Sequence, residues 1–139
     1  MSYKIIGKYI KHLDFRIPNS KAFSLLAKDI SNYKINIDIK SNQIKENIVE
    51  VETTLTLIPI KEGLEIINTK ILYATIIEIE KQKIDKNKLE KIVLIDVPSE
   101  IYPDLRNIFV FVFENSGFKN IQINKSVDFQ KLYNLRRVQ

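Results

Sequence analysis

The sequence predicts an α+β fold: a four-stranded antiparallel sheet, drawn as a meander, with a long C-terminal helix packed on it and a second short C-terminal helix after that. Three observations carry the prediction. Stretches in the first 80 residues alternate apolar and polar side chains with a period of two, as half-buried strands do. Turn-forming residues separate these stretches. Beyond residue 100 the period changes, and Leu105, Ile108, Phe109, Val112 and Phe113 follow the i, i+3, i+4, i+7, i+8 spacing of a helix.

The first strand covers residues 3–17, where Ile6, Ile10 and Phe15 sit among lysines and Asp14, and it leaves the sheet at Pro18-Asn19-Ser20. Residues 20–30 read either as a short helix or as an irregular segment docking Phe23, Leu25 and Leu26. In the second strand Tyr33, Ile35, Ile37 and Ile39 alternate with Lys34, Asn36, Asp38 and Lys40, and a turn is expected from Ser41-Asn42 onward. The third strand spans 48–60 and the fourth 64–80, joined by a hairpin turn at Lys61-Glu62-Gly63. The fourth becomes continuously apolar at Ile71-Leu72-Tyr73-Ala74 and Ile76-Ile77, which implies cover on both faces. Residues 81–91 are polar and begin a short helix with Asp85 as N-cap, and Pro98-Ser99 is expected to break that element.

The long helix is placed at 103–116. Read locally, 108–113 resembles a strand, because β-branched and aromatic residues dominate. Pro103 as a first helical residue, Gly117 as a stop and the helical stripe oppose that reading. Val110 and Phe111 fall outside the stripe and make a second apolar patch. A surface helix needs one apolar face, and 139 residues leave little mass to cover another. Self-association follows as the expectation.

The bulk composition suits one domain, 1–139. Cysteine is absent, which excludes disulfides and thiolate chemistry and makes a reducing cytoplasm the default compartment. No signal peptide or membrane span is read. The net charge of +5 has two readings. One is a nucleic-acid surface; the other is a chain rich in Ile, Lys and Asn, with its lysines spread along it and no interleaved aromatics.

Several residues carry the likeness to a known family. Tyr102-Pro103-Asp104-Leu105-Arg106 opens the long helix, Gly117-Phe118 ends it, and Val127-Asp128-Phe129 leads to Leu132-Tyr133, where the second short helix is expected to end. Near the start stands Tyr9-Ile10-Lys11, then Phe15-Arg16-Ile17-Pro18-Asn19, and the third strand holds Val49-Glu50-Val51. In this order the chain resembles the SecB family of bacterial protein-export chaperones. The resemblance implies an ATP-independent holdase that binds unfolded polypeptide (a preprotein or an antitoxin) and assembles as a dimer or a dimer of dimers, with no cofactor and no enzymatic activity.

The resemblance also exposes departures. The positions that match acids docking the basic tail of SecA are here His12, Arg16 and Lys70, so the complementarity on which that docking rests is lost. The family's Gly-Gly pair in the fourth strand reads Ala74-Thr75, and no counterpart of its mobile C-terminal extension is read after Arg137-Val138-Gln139. Solitary or toxin–antitoxin-associated SecB-like chaperones fit this pattern better.

Expected liners of a client groove are Phe23, Leu25, Leu26, Ile71, Tyr73, Ile76, Tyr102 and Phe118, each with ordinary core as the alternative. Expected interface residues are Ile108, Phe109, Val110, Phe111 and Val112. No metal site is read, since His12 is the single histidine. Glu50, Glu52, Glu62 and Glu65 read as solvated strand carboxylates, Ser99, Ser116 and Ser126 as caps, and Arg106 as a residue that orients the long helix through a buried or interface salt bridge. A holdase and a basic α+β nucleic-acid-binding module thus stand as the two functional readings.

Overall fold

The computed structural model describes residues 3–28, 33–59, 67–80, 85–118, 121, 123 and 125–138. Four strands, β1 (Tyr3–Arg16), β2 (Tyr33–Lys45), β3 (Ile48–Pro59) and β4 (Asn68–Ile79), form one antiparallel sheet in the order β1-β4-β3-β2. Only β2, β3 and β4 run as a meander. β1 lies beside β4, so the connection from β1 to β2, which contains helix α1 (Ser20–Lys28), crosses the sheet. This placement makes β4 and β3 central and β1 and β2 the edges. It explains the continuous apolar run of β4: Ile71, Tyr73 and Ile77 face the helices, while Ala74 is covered on the opposite face. Asn19 caps α1, its side chain accepting from Ala22 N–H at 2.8 Å.

β2 continues past the expected turn at Ser41-Asn42. Ser41 and Gln43 still pair with Val51 and Val49, and the reversal falls at Glu46-Asn47. Their polar side chains are exposed at the sheet's margin, so pairing persists where the apolar pattern has stopped. Asn47 takes a φ of 65°, the left-handed conformation its side chain tolerates best among non-glycine residues. The expected turn at Lys61-Glu62-Gly63 lies outside the described residues.

Asp85 caps helix α2 (Lys86–Lys91), accepting from Lys88 N–H at 2.7 Å. The expected break at Pro98-Ser99 does not occur. Residues 92–96 form a π turn, in which Val97 N–H donates to the Ile92 carbonyl, and the chain runs directly into helix α3 (Val97–Glu114). The wider turn admits Pro98 in the first turn of α3, where a proline's missing N–H costs least. Pro103 is therefore inside the helix and not at its start, and Ser99 is likewise internal and no cap. Pro103 and Ser99 are both exposed, so the Ser99 carbonyl that loses its helical donor faces water.

Gly117 terminates α3 at φ 103°, and Phe118 N–H returns to the Phe113 carbonyl at 3.1 Å, the six-to-one bond of a Schellman end. Ser116 Oγ donates to the Val112 carbonyl at 2.6 Å and Asn115 to that of Phe111 at 2.8 Å. Helix α4 (Phe129–Val138) extends beyond the expected Leu132-Tyr133 and is capped by Asp128, which accepts from Lys131 N–H at 3.0 Å.

One face of the sheet carries the core. Leu55, Leu57, Ile71 and Tyr73 meet Ile101, Leu105, Phe109 and Phe113 of α3. Val49, Val51 and Ile77 meet Ile92, Val93 and Val97 at the other end. Of the expected helical stripe, Leu105, Phe109 and Phe113 are fully buried and Ile108 and Val112 flank them half-buried. Phe113 is the aromatic hub: its ring lies 4.9 Å from Phe15 edge-on, 4.5 Å from Phe109 and 5.6 Å from Phe118, which in turn lies 4.9 Å from Phe23. These contacts tie β1, α1 and the helix end to one point.

Candidate functional site

β2 is an edge strand whose inward residues Tyr33, Ile35, Ile37 and Ile39 are followed not by another strand but by α4 and the segment before it. Between them lies a groove of two compartments. The first, of about 500 Å³, is lined by Tyr33, Ile35 and Ile37 of β2, by Tyr102 of α3, and by Ile123, Val127 and Leu132, with Lys34 and Asn36 at its rim. The second, of about 310 Å³, is lined by Ile37 and Ile39, by Leu94 of the π turn, and by Phe129, Leu132, Tyr133 and Leu135 of α4, with Asp38 at its rim. Ile37 and Leu132 border both compartments, so the two adjoin. The Tyr102 and Phe129 rings, 6.2 Å apart edge-on, and Arg106 Nε donating to the Ile123 carbonyl at 3.3 Å tie α3 to the segments that form the far wall. Within the subunit Arg106 thus meets a backbone carbonyl. Leu132 and Leu135 remain 42% and 53% exposed and present apolar surface to the second compartment.

The eight expected liners divide. Tyr102 lines the groove, although its own surface is almost wholly buried. Leu26, Ile71 and Phe118 are buried in the subunit core, and Tyr73 is nearly so, its hydroxyl donating to Asp104 at 3.4 Å. Phe23 and Leu25 are half-buried on α1, where Phe23 packs on Phe118 away from the two compartments. Ile76 is half-buried on the sheet's outer face. The groove residues that the sequence reading missed lie in β2 and α4. The clean alternation of β2 is visible in sequence, but nothing local shows that β2 is an edge, and a helix expected to end at Leu132-Tyr133 does not bring Leu135 onto one face with Leu132.

A second exposed apolar surface runs along the other edge. Ile6, Ile10 and Leu13 of β1 are each close to half exposed, and Phe111 of α3 is 66% exposed. Ile108, Val110 and Val112 are half-buried. Phe109 is 1% exposed in the core and has no surface to offer a partner, which removes it from the expected interface set.

The outer face of the sheet is ionic and self-paired. Tyr9 donates its hydroxyl to Glu50 at 2.5 Å, and Lys11 reaches Glu50 at 2.8 Å and Glu52 at 3.5 Å. Ala74, buried between Tyr9 and Glu52 in the register, is small enough for these side chains to cross β4. Glu50 is therefore covered, contrary to the solvated carboxylate expected. The Lys11 ammonium, then the Tyr9 hydroxyl, hold its carboxyl below the ordinary carboxylate range despite burial. Asp14 stands opposite Lys70, with His12 and Arg16 opposite Leu72 and Asn68. On the helix side, Lys8 pairs with Asp104 at 2.9 Å, and Tyr3 donates to Glu100 at 2.8 Å, fastening β1 to α3. Burial and that carboxylate together raise the Tyr3 phenol far above its usual range.

Comparison with known proteins adds to this geometry. The family model described as preprotein translocase subunit SecB matches residues 1–139. The chain is 39% identical over 135 residues to a putative protein-export protein SecB of Pelagibacter ubique (strain HTCC1062), covering 97% of this chain and 96% of the relative. It is 24% identical over 142 residues to a protein-export protein SecB of Anaplasma phagocytophilum (strain HZ), covering 94% and 89%. Among solved structures, a SecB-like chaperone of Mycobacterium tuberculosis in complex with a ChAD peptide from the HigA1 antitoxin superposes with a TM-score of 0.63, at 7% identity, over 88% of this chain and 89% of that one. That last likeness shows the shared fold. With the family model matching the whole chain and a relative so similar along nearly its full length, the chain belongs to the SecB family.

Proposed function

We propose that this protein is an ATP-independent holdase that keeps unfolded polypeptide from aggregating by binding it along the β2–α4 groove. The observation that carries the proposal is the groove itself: a strand edge beside two adjoining apolar compartments. Such a site takes an extended chain by main-chain hydrogen bonding and by burying alternate side chains. Burial of each apolar side chain contributes roughly 1.5–3 kcal/mol before ordering costs, so a few contacts suffice for reversible holding without a sequence code. Family membership supports a chaperone role, and the antitoxin peptide bound by the mycobacterial neighbour supports an antitoxin as one client class beside preproteins.

The exposed row on β1 together with Phe111 supports self-association, as a dimer or a dimer of dimers. Coupling to SecA is the weaker branch, because the outer face has no free acidic cluster at the positions of His12, Arg16 and Lys70 and neutralises its own Glu50. The same mixture of signs, with Lys11 on Glu50 and Asp14 opposite Lys70, gives no one-signed stripe for nucleic acid.

Light scattering with and without a reduced, unfolded client tests the reading. A dimeric or tetrameric mass that rises on adding client supports it. A monomer whose mass ignores the client contradicts it.

A further inference from the structure

The free edge of β2 carries its charges in a fixed order. Its outward residues Lys34, Asn36 and Asp38 alternate with the groove residues and rim the same two compartments. The register places Ile58 beside Lys34 and Thr54 beside Asp38, and neither neighbour is charged. Lys40, in contrast, stands opposite Glu52. Among the described residues neither Lys34 nor Asp38 has an ion pair or a side-chain hydrogen bond. Two opposite charges are thus left unmatched four residues apart, roughly 13 Å along the strand, on an edge strand of the sheet.

A strand added to this edge would place residues directly opposite both charges, where cross-strand pairs of opposite sign stabilise and like signs destabilise. Antiparallel addition is the more stable pairing. We infer that the groove is directional: it prefers an unfolded segment that joins β2 antiparallel, with a basic residue facing Asp38 and an acidic residue four positions later facing Lys34. Apolar residues at the intervening positions enter the compartments beside Ile39, Ile37, Ile35 and Tyr33. From N- to C-terminus the preferred client reads apolar–basic–apolar–any–apolar–acidic–apolar. This rests on the holdase reading of the groove and adds a selection rule to it. Lys34 and Asp38 act as specificity residues, not as the source of affinity.

The test uses two labelled, end-capped peptides, Val-Lys-Val-Ser-Val-Glu-Val and its charge-exchanged partner Val-Glu-Val-Ser-Val-Lys-Val, with fluorescence anisotropy on the full chain. Composition and net charge are identical, so non-specific attraction cancels. The first peptide is expected to bind roughly tenfold more tightly at low salt, with the gap narrowing in high salt. The double variant Lys34→Asp, Asp38→Lys, both sites being exposed, is expected to invert the order. Equal affinities, or a preference that the double variant leaves unchanged, overturn the rule while leaving the groove reading intact. Failure of both peptides while the protein still holds an unfolded client also overturns the rule. Failure of both peptides and of the client overturns the rule and the groove reading together.

Discussion

Gly117 shows how much a single residue fixes. Its φ of 103° excludes most side chains, and a Cβ there would lie 3.0 Å from Phe23 Cε1 and 3.4 Å from Cζ. Gly117→Ala is therefore expected to cost about 2 kcal/mol, from the left-handed backbone and the displaced ring together. Urea unfolding measures this, and an unchanged midpoint would refute the assignment. Glu50 makes a prediction about pH. Its carboxyl is held low by Lys11 and Tyr9, so its contribution to stability is present above the ordinary carboxylate range and is lost as pH falls through its depressed folded value. The urea midpoint of the wild type is expected to fall between pH 6 and pH 3 by more than that of Glu50→Gln; equal falls would show that the pairing is without consequence. The glycine stop was legible in the sequence, because glycine after an apolar helical stripe has a local cause. Glu50 was not: alternation placed it on a wet face, and its cover comes from Tyr9 and Lys11 on β1, two strands away, across an alanine.

Among the elements, α3 separates two kinds of apolar residue that sequence treats alike. Phe113 is fully buried at the meeting of four aromatic rings, while Phe111, two residues earlier, is 66% exposed. Phe113→Ala is expected to destabilise by roughly 3–5 kcal/mol. Phe111→Ser is expected to leave subunit unfolding near the wild type when read at concentrations where the chain is monomeric, and to lower the mass measured by sedimentation. If Phe111→Ser were as destabilising as Phe113→Ala, the helix would be rotated from the arrangement described. The helical period revealed which residues form the stripe but not where the helix starts. Pro98 and Pro103 look like breaks in sequence, and only the π turn and the solvent exposure of Ser99 explain why the helix passes both. α1, too, is ambiguous in sequence between helix and irregular segment, since nine residues with two buried positions carry a weak periodic signal.

At the scale of the whole molecule, strand order decides where the groove lies. Four strands and their faces were readable from alternation, but alternation is blind to which strands are neighbours. Placing β1 beside β4 leaves β2 at the margin, and with α4 alongside that margin becomes a groove. Half of the side chains expected to line a client site are instead core, because the residues with the strongest apolar signal are those that the central strands and α3 bury against each other. The residues that line the proposed client groove are ones with weaker signals at an edge: Ile37, Ile39, Leu132 and Leu135.

The most direct test of the account uses the variant Ile37→Asp, Leu132→Asp, which places charge on the two residues shared by both compartments. Neither is fully buried, so the fold should survive, and a thermal melt checks that it does. The measurement is light scattering during aggregation of a reduced client, as a function of added protein. The wild type is expected to suppress aggregation near stoichiometric amounts, and the folded variant to need at least about tenfold more, as the loss of one apolar contact implies. A folded variant that protects the client as well as the wild type would place the binding site elsewhere and contradict the assignment of the β2–α4 groove.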